Sequence, residues 1–203
     1  LALWYSGAEW QGWSHAISVF EIGVGETAVA IAGSIRHLVR RTDTLTRIVL
    51  TNTGTVPYSD LGAAEVWFDA DGSGSFDTGT DRFFGAGSFG AGETVAVTGS
   101  ETFAAGDSRA FFVLARLNAS LATATTADTV DIRIAAGGCS PTISTVNCPP
   151  SAIDSPDSLR VRPSYTWSVT ALTLSPTTFQ VGETGVVIGK FSFRNTGTAS
   201  DTL

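Results

Sequence analysis

Residues 46–61 read TRIVLTNTGTVPYSDL, and the end of the chain, residues 189–203, reads GKFSFRNTGTASDTL. The tetrapeptide Asn-Thr-Gly-Thr stands at 52–55 and again at 195–198. Aligned on it, Ile48 and Leu50 match Phe191 and Phe193, while Val49 and Ser192 fall between them. Side chains alternate across a strand, so each copy presents two large apolar groups on one face. Asn and Gly tolerate the backbone angles that end a strand tightly. The stretch therefore predicts a strand followed by a turn, used twice, at a spacing that suits a repeated domain rather than a solenoid unit.

Working outward, strand signals recur every 10–20 residues with turn residues between them and no amphipathic helix. AEVWF at 64–68 is one and residues 82–84 return from it. Residues 94–97 alternate, and AFFVLARL at 110–117 is apolar enough for a central strand buried on both faces. Residues 129–134 and 159–162 alternate again. Val24-Gly-Glu-Thr27 recurs as Val181-Gly-Glu-Thr184, a turn leading into a strand. ASLATATTA at 119–127 is weak for any element.

The composition narrows the function. The 203 residues carry a net charge of −7, a single lysine (Lys190) and 43% hydrophobic residues. This argues against nucleic acid and anionic membrane surfaces as partners and allows a real core. No apolar run reaches the roughly 20 residues a membrane helix needs. Chain start Leu1 has no basic segment beside it, so an export signal is expected to have been removed or to lie outside this sequence. Cys139 and Cys148 in GGCSPTISTVNCPP, flanked by Gly and Pro, predict a disulfide closing a small loop in an oxidising compartment. Two free thiols are the alternative.

Residues 69–81, DADGSGSFDTGTD, alternate oxygen-bearing side chains with glycine. Asp69, Asp71 and Ser73 would offer side-chain oxygens to calcium and Ser75 its carbonyl. Asp77 would bind directly or through water, and Asp81 could stand in for the missing acid at the twelfth position. The flanks predict strands, so this is no EF-hand, and an ion-free polar hairpin loop explains the same residues. A second cluster, Trp4, Tyr5, Trp10, Trp13 and His15, could stack on sugar rings. Equally it could fill the core or a subunit contact, with Trp10 and Trp13 as the deciding pair. With two histidines, His15 and His37, and no HExxH, GxSxG, P-loop or CxxC, catalysis has little to stand on. An enzyme would need one histidine in a cleft beside a serine and a carboxylate.

The strand with its NTGT turn, the VGET turns and the WFDADGSGSFDTGTD hairpin resemble immunoglobulin-like repeats, among them CARDB-type adhesion modules, of secreted bacterial and archaeal surface proteins. That resemblance implies an all-β, immunoglobulin-like β-sandwich in an extracellular, non-enzymatic structural or adhesive module. Residues 31–163 are expected to form one complete sandwich. Residues 164–203 begin a second, to be completed by residues 1–30 of a neighbouring unit, because LALWYS at 1–6 looks like the strand the tail lacks. Copies of the chain would then join head to tail through shared strands. The runner-up is a carbohydrate-binding accessory module of an extracellular hydrolase. Calcium is the expected cofactor.

Overall fold

The computed structural model describes residues 9–144, 148–155, 157–162, 167–173 and 189–195. Among them are fourteen strands and no helix. Two units separate between residues 162 and 163.

The first unit is a two-sheet sandwich. One sheet holds five strands in the order β1 (Trp10–His15), β3 (Thr27–His37), β8 (Ser108–Leu117), β5 (Leu61–Phe68), β6 (Arg82–Ser88). The other holds β11 (Ile153–Asp154), β10 (Ile132–Pro141), β4 (Asp43–Asn52), β7 (Thr94–Phe103). A small third sheet, β2 (Glu21–Gly23), β12 (Leu159–Arg162), β9 (Thr129–Val130), contains the parallel pair β2–β12.

Three antiparallel pairs are nested: β5 with β6, β4 with β7 outside them, and β3 with β8 outside those. Residues 27–117 are thus one long hairpin with loop 69–81 at its tip, rolled so that the β4–β7 ladder lies in the opposite sheet from the other two. This winding is that of a jelly roll. The all-β sandwich expected from the sequence stands, but its strand order is not the immunoglobulin one, in which the last two strands are hairpin partners in one sheet. Here the last long strands, β8 and β10, lie in different sheets.

Period two makes the core. In β4, Leu45, Ile48 and Leu50 are buried, and they face Val95, Val97 and Phe103 of β7 and Ile132 and Ile134 of β10 in the same layer. Phe68 sits in the middle, its ring 5.7 Å from Phe84 and 6.0 Å from Phe103, both edge-on. The run Phe111–Ala115 of β8 is buried throughout, as a central strand with both faces covered requires. Where β6 packs against β7 of the other sheet the backbones touch. A Cβ on Gly85 would lie 2.1 Å from the Thr98 carbonyl oxygen, and one on Gly99 2.1 Å from that of Phe84, so only glycine fits either place.

The domain boundaries expected at the N-terminus need correcting. β1 pairs along its length with β3 of the same chain, Trp10 is fully buried in the core, and β2 pairs with β12. Within residues 1–30, those from 9 on complete this sandwich, not a neighbour's, because their apolar groups are needed here. LALWYS lies outside the described residues.

In the second unit, β13 (Trp167–Ala171) and β14 (Phe191–Asn195) form an antiparallel pair with Val169 opposite Phe193. β14 covers Phe191–Asn195, the residues that align with Ile48–Asn52 of β4, so the repeated stretch is a strand in both places. The pairing differs. Among the described residues β14 bonds β13, the strand preceding it, whereas β4 bonds β7 and β10 and its predecessor β3 lies in the other sheet. The recurrence of VGET at 181–184 lies outside the described residues.

Candidate functional site

The outward face of the five-stranded sheet carries two cross-strand rows. Register sets His15 opposite Ala32, Ala32 opposite Phe112, Phe112 opposite Trp67, and Trp67 opposite Phe83. Two residues along, Trp13 faces Ser34 and Ser34 faces Ala110. The residues between, Gly33, Phe111 and Phe68, point into the core. Loop 69–81 folds back over this face. Phe76, the one large apolar residue in an otherwise polar loop, packs its ring 5.5 Å from Trp67 and 5.9 Å from Phe112, both edge-on.

The folded loop leaves a groove of about 780 Å³ between itself and strand β1. Ala32, Ser34 and Ala110 floor it; His15 stands on one side and Asp69 to Gly74 on the other, with Asp107 and Arg109 also lining it. The groove exists because β3 and β8 carry small residues on this face while both walls rise above them. Trp13, 41% exposed, stands next to His15 with ring centroids 6.4 Å apart.

Polar groups in the groove are few and placed. His15 Nε2 and Ser34 Oγ share a hydrogen bond of 2.8 Å. Arg109 is ion-paired with the buried Glu101 at 3.0 Å and donates to Asp107 at 3.4 Å. Burial pushes the Glu101 carboxyl up, against the pull of Arg82, which also bonds it, and of Arg109. Asp71 is held below the usual carboxylate range, chiefly by the hydrogen bond from the Ser73 amide.

Of the six residues expected to ligate calcium, the fold brings three together. Asp69, Asp71 and Asp81 each offer a carboxylate oxygen, all within 4.8 Å of one another. Asp69 is aimed by the amides of Gly72 (2.7 Å) and Gly74 (2.9 Å), and both glycines take φ of 73°, the left-handed turn that needs no side chain. Asp81 accepts from the amides of Asp77 (2.8 Å) and Ala70 (3.4 Å), which hold its carboxylate beside the other two. The Asp77 carboxylate instead caps the Gly79 amide at 2.8 Å and stays apart. Ser73 spends its hydroxyl on the Ser75 carbonyl at 3.0 Å. An all-oxygen set of three carboxylates suits a hard cation.

Trp10 and Trp13, expected to act as a pair, are split by the sheet. They differ by an odd number of positions on one strand, so Trp10 enters the core, edge-on to Phe103 at 5.1 Å, and Trp13 lies on the outward face opposite Ser34 of the groove floor. His37 is buried beside Trp10. Cys139 and Cys148 face each other as partners of an antiparallel bridge, both buried with free thiols. The Cys148 thiol is pushed up by its hydrogen bond with Cys139 and by burial.

His15 does stand beside a serine in a cleft with carboxylates near, the arrangement a nucleophilic enzyme would use. Two features it would need are missing among the described residues. No carboxylate is hydrogen-bonded to His15 there. The amides around Ser34 lie in the plane of the sheet, engaged with β1 and β8, so none points up as an oxyanion donor. Sequence reasoning passed over Ser34, Ala110, Asp107 and Phe76. The small run Ala30-Ile-Ala-Gly-Ser34 inside a long strand, and a lone Phe in a polar loop, were the available signals.

No family model matches the sequence, and no curated protein matches it. Among solved structures, "Hadza microbial sialidase Hz136" superposes with a TM-score of 0.48 at 9% identity, over 70% of this chain and 31% of that one. The chain thus spans about a third of that sialidase's length. A second, described as "AvmM Catalyzes Macrocyclization in Alchivemycin A Biosynthesis", gives a TM-score of 0.38 at 11% identity, over 78% of this chain and 92% of that one. At these values neither assigns the chain a family or an activity.

Proposed function

We propose that the first unit is a non-catalytic binding module of an extracellular protein and that it holds a saccharide in the groove between His15 and loop 69–81. One observation carries the reading: a half-exposed indole, Trp13, stands beside a small-residue floor that is walled by side chains able to donate and accept hydrogen bonds. Aromatic rings stack on the apolar face of a sugar while short polar groups bond its hydroxyls. The acidic, lysine-poor composition argues against nucleic acid and anionic membrane as ligands. No described helix is long and apolar enough to cross a membrane. Calcium bound by Asp69, Asp71 and Asp81 would stiffen the groove wall, and a Cys139–Cys148 bridge would suit an oxidising, cell-surface setting. Calorimetric titration with a panel of oligosaccharides tests the reading. Binding that Trp13→Ala removes without changing the melting temperature supports it; a folded wild-type protein that binds no saccharide overturns it.

The structural and adhesive reading keeps one specific support, the aligned stretches Ile48–Asn52 and Phe191–Asn195, which are strands in both places. It makes this chain part of an array of related units that meets copies of itself. Sedimentation that shows growth with concentration would favour it, and a strict monomer would count against it.

A further inference from the structure

We infer that Phe76 is the positioning residue of the groove: its ring pins loop 69–81 to the sheet, and the wall facing His15 stands where it does because that ring is seated. The consequence for a ligand rests on the saccharide reading above; the pinning itself does not. Phe76 is not among the residues that line the groove. Among the described residues, every hydrogen bond of residues 70–80 stays inside loop 69–81. The Asp81 carboxylate closes the base of the loop on the amides of Ala70 and Asp77. The Asp69 carboxylate gathers the amides of Gly72 and Gly74, and the Ser73 hydroxyl donates to the Ser75 carbonyl. The amides of Gly79 and Thr80 bond back to Asp77. Among the same residues no ion pair joins the loop to the face beneath it. The loop is thus tied to itself by polar groups and tied to the sheet by an apolar one. Phe76 is partly buried against the core, while Ser75 and Asp77 on either side of it are exposed. Its seat is fixed in advance. Trp67 Nε1 donates to Glu65 at 2.9 Å, and Phe83 stands edge-on to the same indole at 4.9 Å. Phe112 completes the seat from the central strand, its ring 5.9 Å from that of Phe76. Edge-on aromatic contact and burial of the ring both favour the seated state. The segment that walls the groove, Asp69 to Gly74, ends two positions before Phe76 within the same bonded loop, so a ring that leaves its seat takes the wall with it. A site competent in one state alone binds in proportion to the fraction in that state.

The experiment has two arms. Amide relaxation by nuclear magnetic resonance, with order parameters for fast motion and dispersion for slow, follows the loop without any ligand. Calorimetry with the oligosaccharide panel follows the groove. In the parent the amides of Gly72, Gly74 and Gly79 should be as rigid as those of β5 and β6, with order parameters of about 0.85. In Phe76→Ala those three should gain motion together while β5 and β6 keep the parent values. Affinity for any oligosaccharide the parent binds should fall roughly tenfold, as it does when the seated fraction drops to about a tenth. Phe76→Leu, which refills the seat with an apolar side chain, should return both readings towards the parent. Loop amides that stay rigid in Phe76→Ala, motion that spreads equally through β5 and β6, or undiminished affinity despite a mobile loop would overturn the inference and leave the saccharide reading in place. A parent that binds no saccharide would overturn that reading alone, and the relaxation arm would still decide for or against the pinned loop.

Discussion

Asp60 and Ala124 are 64 positions apart in the chain, yet the Ala124 amide donates a 2.7 Å hydrogen bond to the buried Asp60 carboxylate. The amides of Ala122 (2.7 Å) and Thr123 (2.9 Å) donate to the same group. Asp60 is the anchor that gives loop 119–127, which has neither helical nor strand character of its own, a fixed path. Asp60→Ala would leave these donors without a partner, and a loss of about 3 kcal/mol in unfolding free energy is expected from denaturant titration. A change below the error of that titration would show that the loop is held by other contacts.

Asp43 repeats the device at the other end of the sandwich, accepting from the amides of Thr44 (2.8 Å), Ile143 (2.9 Å) and Ser144 (2.9 Å). Burial works to raise both carboxyls, but the hydrogen bonds outweigh it and hold each below its ordinary 3.8. Depressed carboxyls stabilise the fold fully above their unfolded-state value and lose that contribution as pH falls through the lowered folded value. Stability should therefore be flat with respect to these two groups at neutral pH and fall below about pH 4. In Asp43→Asn or Asp60→Asn the acid limb should be shallower. Equal acid limbs in the variants and the parent would contradict this.

Calcium at millimolar concentration should raise the melting temperature by a few degrees, since a weak site of this kind near tenfold saturation contributes about 1 kcal/mol. Asp81→Asn should abolish the rise and Asp77→Asn should not, because only Asp81 joins the cluster. An identical melting curve with calcium and with chelator would remove the site.

Oxidation should link Cys139 and Cys148, since they face each other directly and such a pair lies within disulfide range. The linked form should gain about 2–3 kcal/mol, the value for a loop of this size. Protection of both thiols from alkylation in denaturant, reversed by reductant, would verify it; two reactive thiols after oxidation would refute it.

Trp10→Ala should cost about 3–5 kcal/mol, because it empties the core. Trp13→Ala, on the same strand, should cost little and act on ligand binding alone. A comparable loss of stability in both would mean that Trp13 is structural.

Much of the architecture was legible in the residues. The alternation in TRIVLT, the apolar run of AFFVLARL and the punctuation by NTGT and VGET determined a β-sandwich, placed most of its long strands, and marked β8 as central. They did so because hydrophobic period and turn chemistry are local properties, written within a few residues of one another. The acidic loop was equally legible as a cluster of oxygen ligands, since its residues are neighbours in sequence.

What only the tertiary structure decided was which strands meet. The same local signals serve an immunoglobulin order and a jelly roll, and the choice between them lies in long-range pairings such as Ile35 with Arg109. The groove depends on those pairings entirely. Register brings His15 and Ser34 to 2.8 Å, sets small residues of β3 beside small residues of β8, and swings Phe76 over Trp67. It also chose Asp81 over Asp77 and parted Trp10 from Trp13. A site assembled from three strands and a folded-back loop has no local signature, because its geometry is set by the packing of distant segments and not by any one of them.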